Sequence, residues 1–414
     1  MKTAVEKILS RASGRDAEAG DIVEAEIDVY MIHDPMGALV DDALRDLCGE
    51  PRHPERVVAV QDHFVPAKDI ESANLSKRLR EFCSKWGVKY HYDVGWGICH
   101  AVLPEEGHAA PGDVIVGTDS HMPTLGALGA FSVGIGATEM AAALIMGKLW
   151  FRVPETILVK LDGSLPEMVF AKDIILKLIS MIGVDGANYK ALEFNGSVLK
   201  AMEMDERFVL TNMSVEAGAK TAIIPVDDVT LSYLNGRLRR APRPEYSDDG
   251  SHSDEISIDV SSLEPLVAIP HSPANVKPAS EVDAEIDQAF IGSCTGGRLK
   301  DLEVAARILR GRRVKEGVRL IVIPASRRIY LEALRRGIID ILIESGATIG
   351  PPSCGPCLGA HLGVLAEGEV AISTSNRNFR GRMGHPESRV YLASAATVAA
   401  SAVEGRIVDP RVIV

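Results

Sequence analysis

Six cysteines are spread through 414 residues, and three of them stand in settings that suit inorganic chemistry. Cys354 and Cys357 are two residues apart in "PPSCGPCLGAH", and Cys294 stands in "IGSCTGG" at a strand-to-loop junction. Small residues on both sides of Cys294 let a bulky group approach the backbone. A Cys-x-x-Cys pair serves as half of a zinc site, as a redox couple, or as part of an iron–sulfur cluster. A redox couple usually opens a helix, and the prolines and glycines here resist one. His361 could complete a zinc site of three cysteines and one histidine. A cluster held by three cysteines would instead leave one iron without a protein ligand, a Lewis acid open to a substrate hydroxyl. Cys48 and Cys83 lie in helical patterns, and Cys99, beside His100, reads as a buried hydrophobe.

Two further stretches carry acid–imidazole neighbours. "QDHFVP" supplies Asp62 and His63, and "GTDSH" supplies Asp119, Ser120 and His121. A carboxylate beside an imidazole fixes its tautomer and raises its pKa, which suits a general acid. One such pair also caps loops; two at strand ends, together with the cysteines, point to a site. "SNRNFRGRMG" gathers Arg377, Arg380 and Arg382 with Asn376 and Asn378 in a loop, a grouping suited to carboxylate or phosphate. The glycine-rich "GALGAFSVGIGATEM" reads as small residues allowing close packing of a helix rather than as a dinucleotide loop.

The elements that must hold these residues are legible as short β-branched runs alternating with helical patterns. Strands are expected at 56–60, 113–117, 156–161, 221–225, 289–293, 319–325 and 369–374, with helices at 299–309 and 329–345. This alternation defines an α/β fold with largely parallel sheets. Several strands run directly into the polar loops, and ligands of open α/β sheets bind beyond the strands' carboxyl ends. Between 239 and 284 the texture turns to Pro, Ser, Asp and His, which divides the chain into lobes at 1–153, 154–238 and 285–414 with a connection that carries one short strand, "EISIDV". A hydrophobic share of 46% describes a compact soluble chain, and 45 basic against 57 acidic residues argue against nucleic-acid binding. The N-terminus lacks the apolar core of a signal peptide and no uncharged run is a membrane span, so a reducing cytoplasm is the expected home.

Taken together, "VGTDSH", "IGSCT", "SCGPCLGAHLGVLAEGE" and "SNRNFRGRMG", in this order, make the chain similar to the aconitase superfamily over nearly its whole length, and most of all to its isopropylmalate dehydratase and homoaconitase branch. The resemblance implies three-layer αβα lobes around a central 4Fe-4S cluster held by Cys294, Cys354 and Cys357, with one iron lacking a cysteine. It implies three acid–imidazole pairs, Asp62 with His63, His100 with Glu216 and Asp119 with His121, and adds Asn212 from "TNMSVEAGA". Ser120, Asn376, Arg377 and Arg382 become substrate-carboxylate contacts, and His33 a substrate-facing residue. The implied reaction removes and restores water on a hydroxy-dicarboxylic acid, with His63 protonating the departing hydroxyl. The serine base of that chemistry belongs to a swivelling domain, expected here on a separate small subunit.

Three positions depart from the family pattern: Gly296 stands where Asn is usual, Leu125 where isopropylmalate enzymes carry His, and Met36 near a usual Thr. They leave dimethylmalate, citraconate, maleate and homocitrate beside isopropylmalate as substrates. An RNA-binding regulator and a structural zinc protein are the readings from other classes; the acidic balance and the intact set of site residues oppose them.

Overall fold

A computed structural model describes residues 1–413. Its strands fall into three principal sheets and one two-stranded antiparallel ribbon, Ile22–Glu26 with Lys148–Arg152. The first sheet is all parallel, in the order Tyr90–Tyr92, Val57–Val60, Val29–His33, Val114–Gly117, Phe131–Gly134. Its central strands are buried along their whole length, which is why they read as unbroken β-branched runs. Alternate residues serve different cores: Tyr30, Ile32, Val57 and Ala59 pack on one face, Met31, Val58, Val60 and Ile115 on the other.

The second sheet, also parallel, orders Thr221–Ile223, Ala191–Asn195, Thr156–Asp162 and Asp254–Asp259. The third has seven strands. Five are parallel, Arg389–Leu392, Val370–Ser373, Gln288–Ile291, Arg319–Val322 and Thr348–Ile349, with Leu266–Ala268 and Val276–Pro278 antiparallel at one edge. Residues 239–284 therefore supply strands to two sheets: "EISIDV" forms Asp254–Asp259 as expected, and two more strands follow it.

In the first and third sheets the strand order reverses once. The first reverses between Val29–His33 and Val114–Gly117, the third between Gln288–Ile291 and Val370–Ser373. Such reversals splay neighbouring loops apart and open a crevice at the carboxyl edge. The two edges are joined by a short seam: Gly97 bridges Ser326, Ile98 N–H donates to Ala325 O at 2.8 Å, and Arg327 N–H to Trp96 O at 2.9 Å. A side chain at Gly97 would collide with the Ala325 carbonyl, at 2.4 Å from the added carbon, so the seam depends on glycine there.

Two expectations change. The helical pattern at 329–345 is two helices, Arg327–Arg335 and Ile338–Glu344, because Gly337 takes a left-handed conformation (φ 67°) that an α-helix cannot continue through. The glycine-rich stretch is not one close-packed helix but the 3₁₀ segment Met122–Leu128, the strand Phe131–Gly134 and the helix Ala137–Met146. Gly134 lies against the Asp119 loop, where an added Cβ would stand 2.6 Å from Asp119 O. Among the described residues no helix is long and apolar enough to cross a membrane.

Candidate active site

The loop after Val57–Val60 is fixed by a carboxylate that the sequence reading did not single out. Asp34, which opens the helix Asp34–Asp46 directly after His33, accepts the N–H groups of Asp62, His63 and Phe64 at 2.9, 3.0 and 2.8 Å. So held, Asp62 is fully buried and turns one oxygen to His63 Nδ1 (2.7 Å) and the other to Cys99 N–H (2.7 Å). Burial opposes its charge, but His63, His33 and the Cys99 N–H outweigh it and hold the Asp62 pKa below the ordinary carboxylate value. His63 Nε2 faces Asp119 Oδ2 at 3.4 Å. Burial disfavours the charged ring here too, yet Cys354, Asp62 and Asp119 raise the His63 pKa well above that of a free imidazole.

Asp119 is the hub. It receives His100 Nε2 at 2.9 Å and the His121 backbone N–H at 2.7 Å, and these partners, against the cost of burial, press its pKa well below the usual range. His121 Nε2 meets Glu216 Oε1 at 2.8 Å. The pairing thus differs from the expected one: His100 pairs with Asp119 rather than Glu216, and His121 with Glu216 rather than Asp119. The local bond from His121 N–H to Asp119 turns the His121 ring away from that carboxylate, leaving Nδ1 3.6 Å off, and toward the turn Ser214–Ala217. His33 packs edge-on against His63, with ring centroids 4.5 Å apart, and its Nδ1 lies 2.9 Å from Thr118 Oγ1. Burial and the neighbouring His63 charge lower the His33 pKa.

The third sheet supplies the opposite wall. One cavity is lined by His63, His100, Asp119 and His121 on one side and by Cys294, Cys354 and Cys357 on the other. Asn376 links two of the thiols, donating from Nδ2 to Cys294 Sγ (3.3 Å) and accepting at Oδ1 from Cys357 Sγ (3.6 Å), and it also donates to Asn212 Oδ1 (3.3 Å). Asn212 in turn donates to Thr124 Oγ1 at 2.7 Å. Arg382 reaches Cys357 Sγ at 3.9 Å. Arg377 is engaged with Glu216 (2.7 Å) and Ser120 Oγ (3.1 Å), while Arg380 points to solvent and pairs with Glu387. Arg298 donates to His100 O at 3.1 Å from a fully buried position over the Phe208 ring.

The donor set fits an iron–sulfur group. No cysteine is in a disulfide, and burial together with Cys357 and Asp119 pushes the Cys294 pKa up to about 12, an environment in which a thiolate is stable only with a cation bound to it. All three donors are soft sulfur. His361, the nitrogen that a zinc site would need, instead faces Pro66 O at 2.7 Å and does not line the cavity. His100 Nδ1 and Arg382 Nε are buried with no partner among the described residues. At Gly296 an added Cβ would meet Thr374 Oγ1 at 2.0 Å, so the Asn usual in the family would require that loop to move.

This is a doubly wound α/β protein whose two switch-point crevices share one thiol- and imidazole-lined cavity. The profile of the aconitase family (aconitate hydratase) matches residues 6–284 and 276–405, and the chain belongs to that family. It is 56% identical over 414 residues to the 3-isopropylmalate dehydratase large subunit 1 of Methanopyrus kandleri, covering 99% of each chain. It is 50% identical over 417 residues to the 3-isopropylmalate dehydratase large subunit of Moorella thermoacetica, covering 100% of this chain and 99% of that one. Among solved structures, the holo-form of Thermococcus kodakaraensis aconitase X overlays with a TM-score of 0.50 at 15% identity, covering 90% of this chain and 89% of that one, a likeness of fold.

Proposed function

We propose that this chain is the iron–sulfur large subunit of a 3-isopropylmalate dehydratase, a hydro-lyase of leucine biosynthesis, and that Cys294, Cys354 and Cys357 hold a 4Fe-4S cluster. The observation that carries the reading is the single cavity in which three thiols face the Asp62-paired imidazole of His63; the names of its full-length relatives support the substrate. When bound, the cluster supplies an iron without a cysteine ligand that draws electrons from a hydroxyl oxygen.

The chain's own residues do the rest. His63, charged and oriented by Asp62, gives its Nε2 proton to the departing hydroxyl and takes it back on rehydration. Asp119 and Glu216 hold His100 and His121 in fixed orientations around the substrate. Arg382 binds a substrate carboxylate from beside the sulfurs, and Arg377 with Ser120 forms a second contact at the mouth. His33 closes the floor behind His63. The carbon-bound proton goes to a serine on a small swivelling subunit, the base that the family resemblance implies.

The test is complementation. Protein purified without oxygen should contain close to four irons per chain and show negligible dehydratase activity, and adding the cognate small subunit at one-to-one stoichiometry should restore turnover. Full activity from this polypeptide alone would sink the two-subunit reading. Stoichiometric zinc without iron would sink the cluster.

A further inference from the structure

Lys172 is one of the most deeply buried charged side chains of the molecule, 3% exposed, and neither the acid–imidazole network nor the thiol set uses it. It lies in the first turn of the helix Ala171–Ile182, which connects the strands Thr156–Asp162 and Ala191–Asn195 of the second sheet, and its Nζ reaches into the loops of the third. There it donates to Thr295 Oγ1 at 3.0 Å, Thr374 O at 2.8 Å and Ser375 O at 2.9 Å, with Met213 Sδ at 3.3 Å. The Thr295 hydroxyl gives its own hydrogen to Thr374 O (2.9 Å), so it receives from Lys172 as an acceptor. Three oxygen acceptors need three N–H donors, and only the ammonium form has three. The side chain is a buried cation at neutral pH, although burial lowers its pKa to about 8.

Its partners matter by position. Thr295 follows Cys294 directly, and Thr374 with Ser375 leads directly into Asn376, whose amide bonds Cys294 and Cys357. One ammonium therefore ties the loop after Gln288–Ile291 to the loop after Val370–Ser373, across the reversal of the third sheet.

We propose that Lys172 is a positioning residue for the sulfur centre: it clamps the Cys294 and Asn376 loops in register and supplies a fixed positive charge behind the thiolates. The charge half of this rests on the cluster reading above; the clamp half does not. A cation behind the centre favours adding an electron, since reduction increases negative charge nearby. Thiolates that must be gathered at one point also lose less freedom when their loops are already tied.

Lys172→Met keeps an unbranched side chain, one heavy atom shorter, and removes both donors and charge. In the iron-loaded chain it should make the midpoint potential of the cluster more negative and speed iron loss to a chelator several-fold. Unchanged potential and unchanged iron retention, even with a lower melting temperature, would show a purely structural tie and overturn the proposal. The same variant in the iron-free chain should raise the rate of Cys294 alkylation several-fold, so wild-type protein that binds no iron defeats the cluster reading while this rate still decides the clamp. If Lys172→Met does not accumulate as folded protein, Thr295→Val removes one acceptor and leaves the charge; faster alkylation supports the clamp and an unchanged rate refutes it.

Discussion

The carboxyl edges of the first and third sheets share a topology and differ in equipment. Each reverses its strand order once and hangs its polar loops at the reversal. On the first edge three imidazoles have a carboxylate: His63 has Asp62, His100 has Asp119, His121 has Glu216, while His33 turns to the Thr118 hydroxyl. On the third edge the groups are thiols, an amide and a guanidinium, and Arg382 turns to a sulfur rather than to a carboxylate of the chain. One edge is built to hold imidazoles in place against carboxylates, the other, on the function proposed above, to hold a metal group and the negative charge that comes with it. The same scaffold supports both because its chemistry lives in loops that the sheet only positions.

The largest effects should fall on the third edge. Cys294→Ser, Cys354→Ser or Cys357→Ser should each abolish iron binding in anaerobically prepared protein, whereas Cys48→Ser and Cys83→Ser should leave the iron content unchanged. On the first edge, His63→Ala should keep its iron and depress turnover of the two-subunit enzyme about a hundredfold, the scale of losing a general acid. Turnover near wild type would remove His63 from that role and blur the division between the edges.

The smallest effect sits on the seam that joins them. Glu105, at the end of the helix that begins with Cys99 and His100, accepts from Ser326 Oγ at 2.8 Å. Burial raises its pKa to about 7, against the opposing pull of Ser326 and Arg298. The unfolded chain gives up this proton near an ordinary value of about 4.3, so the folded state binds more protons across that interval and loses stability as pH rises through it. Glu105→Gln keeps the acceptor and should stabilise the chain by about 3 to 4 kcal/mol at pH 8 and not at pH 4, read from denaturant melts. An equal effect at both pH values would mean that the seam does not depend on this proton.

Strand positions and the residues just past them were legible because fully buried parallel strands print as β-branched runs and their loops follow in register; Asp62, His63, Asp119 and Cys294 are found that way. Cys354 and Cys357 announced themselves by spacing. Asn212 and Glu216 could not be found by that rule, since they come from a helix end, Met204–Met213, and the turn after it. Their signal was the family resemblance alone. The pairing of His100 with Asp119 was hidden for another reason: it depends on a backbone bond that turns the His121 ring, which no spacing encodes. Asp34 and Arg298 act on backbone atoms of other loops, so their partners appear only in three dimensions. Asp34 still left a trace, a carboxylate before proline directly after a strand.

The three amides that Asp34 occupies have a bearing on selectivity. Successive backbone N–H groups converging on one point form a nest that takes up anions from solution, and here the occupant is part of the chain. The loop that carries Asp62 and His63 is thereby closed to the carboxylates of a dianionic guest. On the function proposed above, recognition of those charges falls to side chains from the far wall, Arg382 and Arg377 among them, which approach from one direction only. Under that proposal a guest would be oriented before any proton moves, its charged ends toward the guanidinium wall and its hydroxyl toward His63 and the sulfurs.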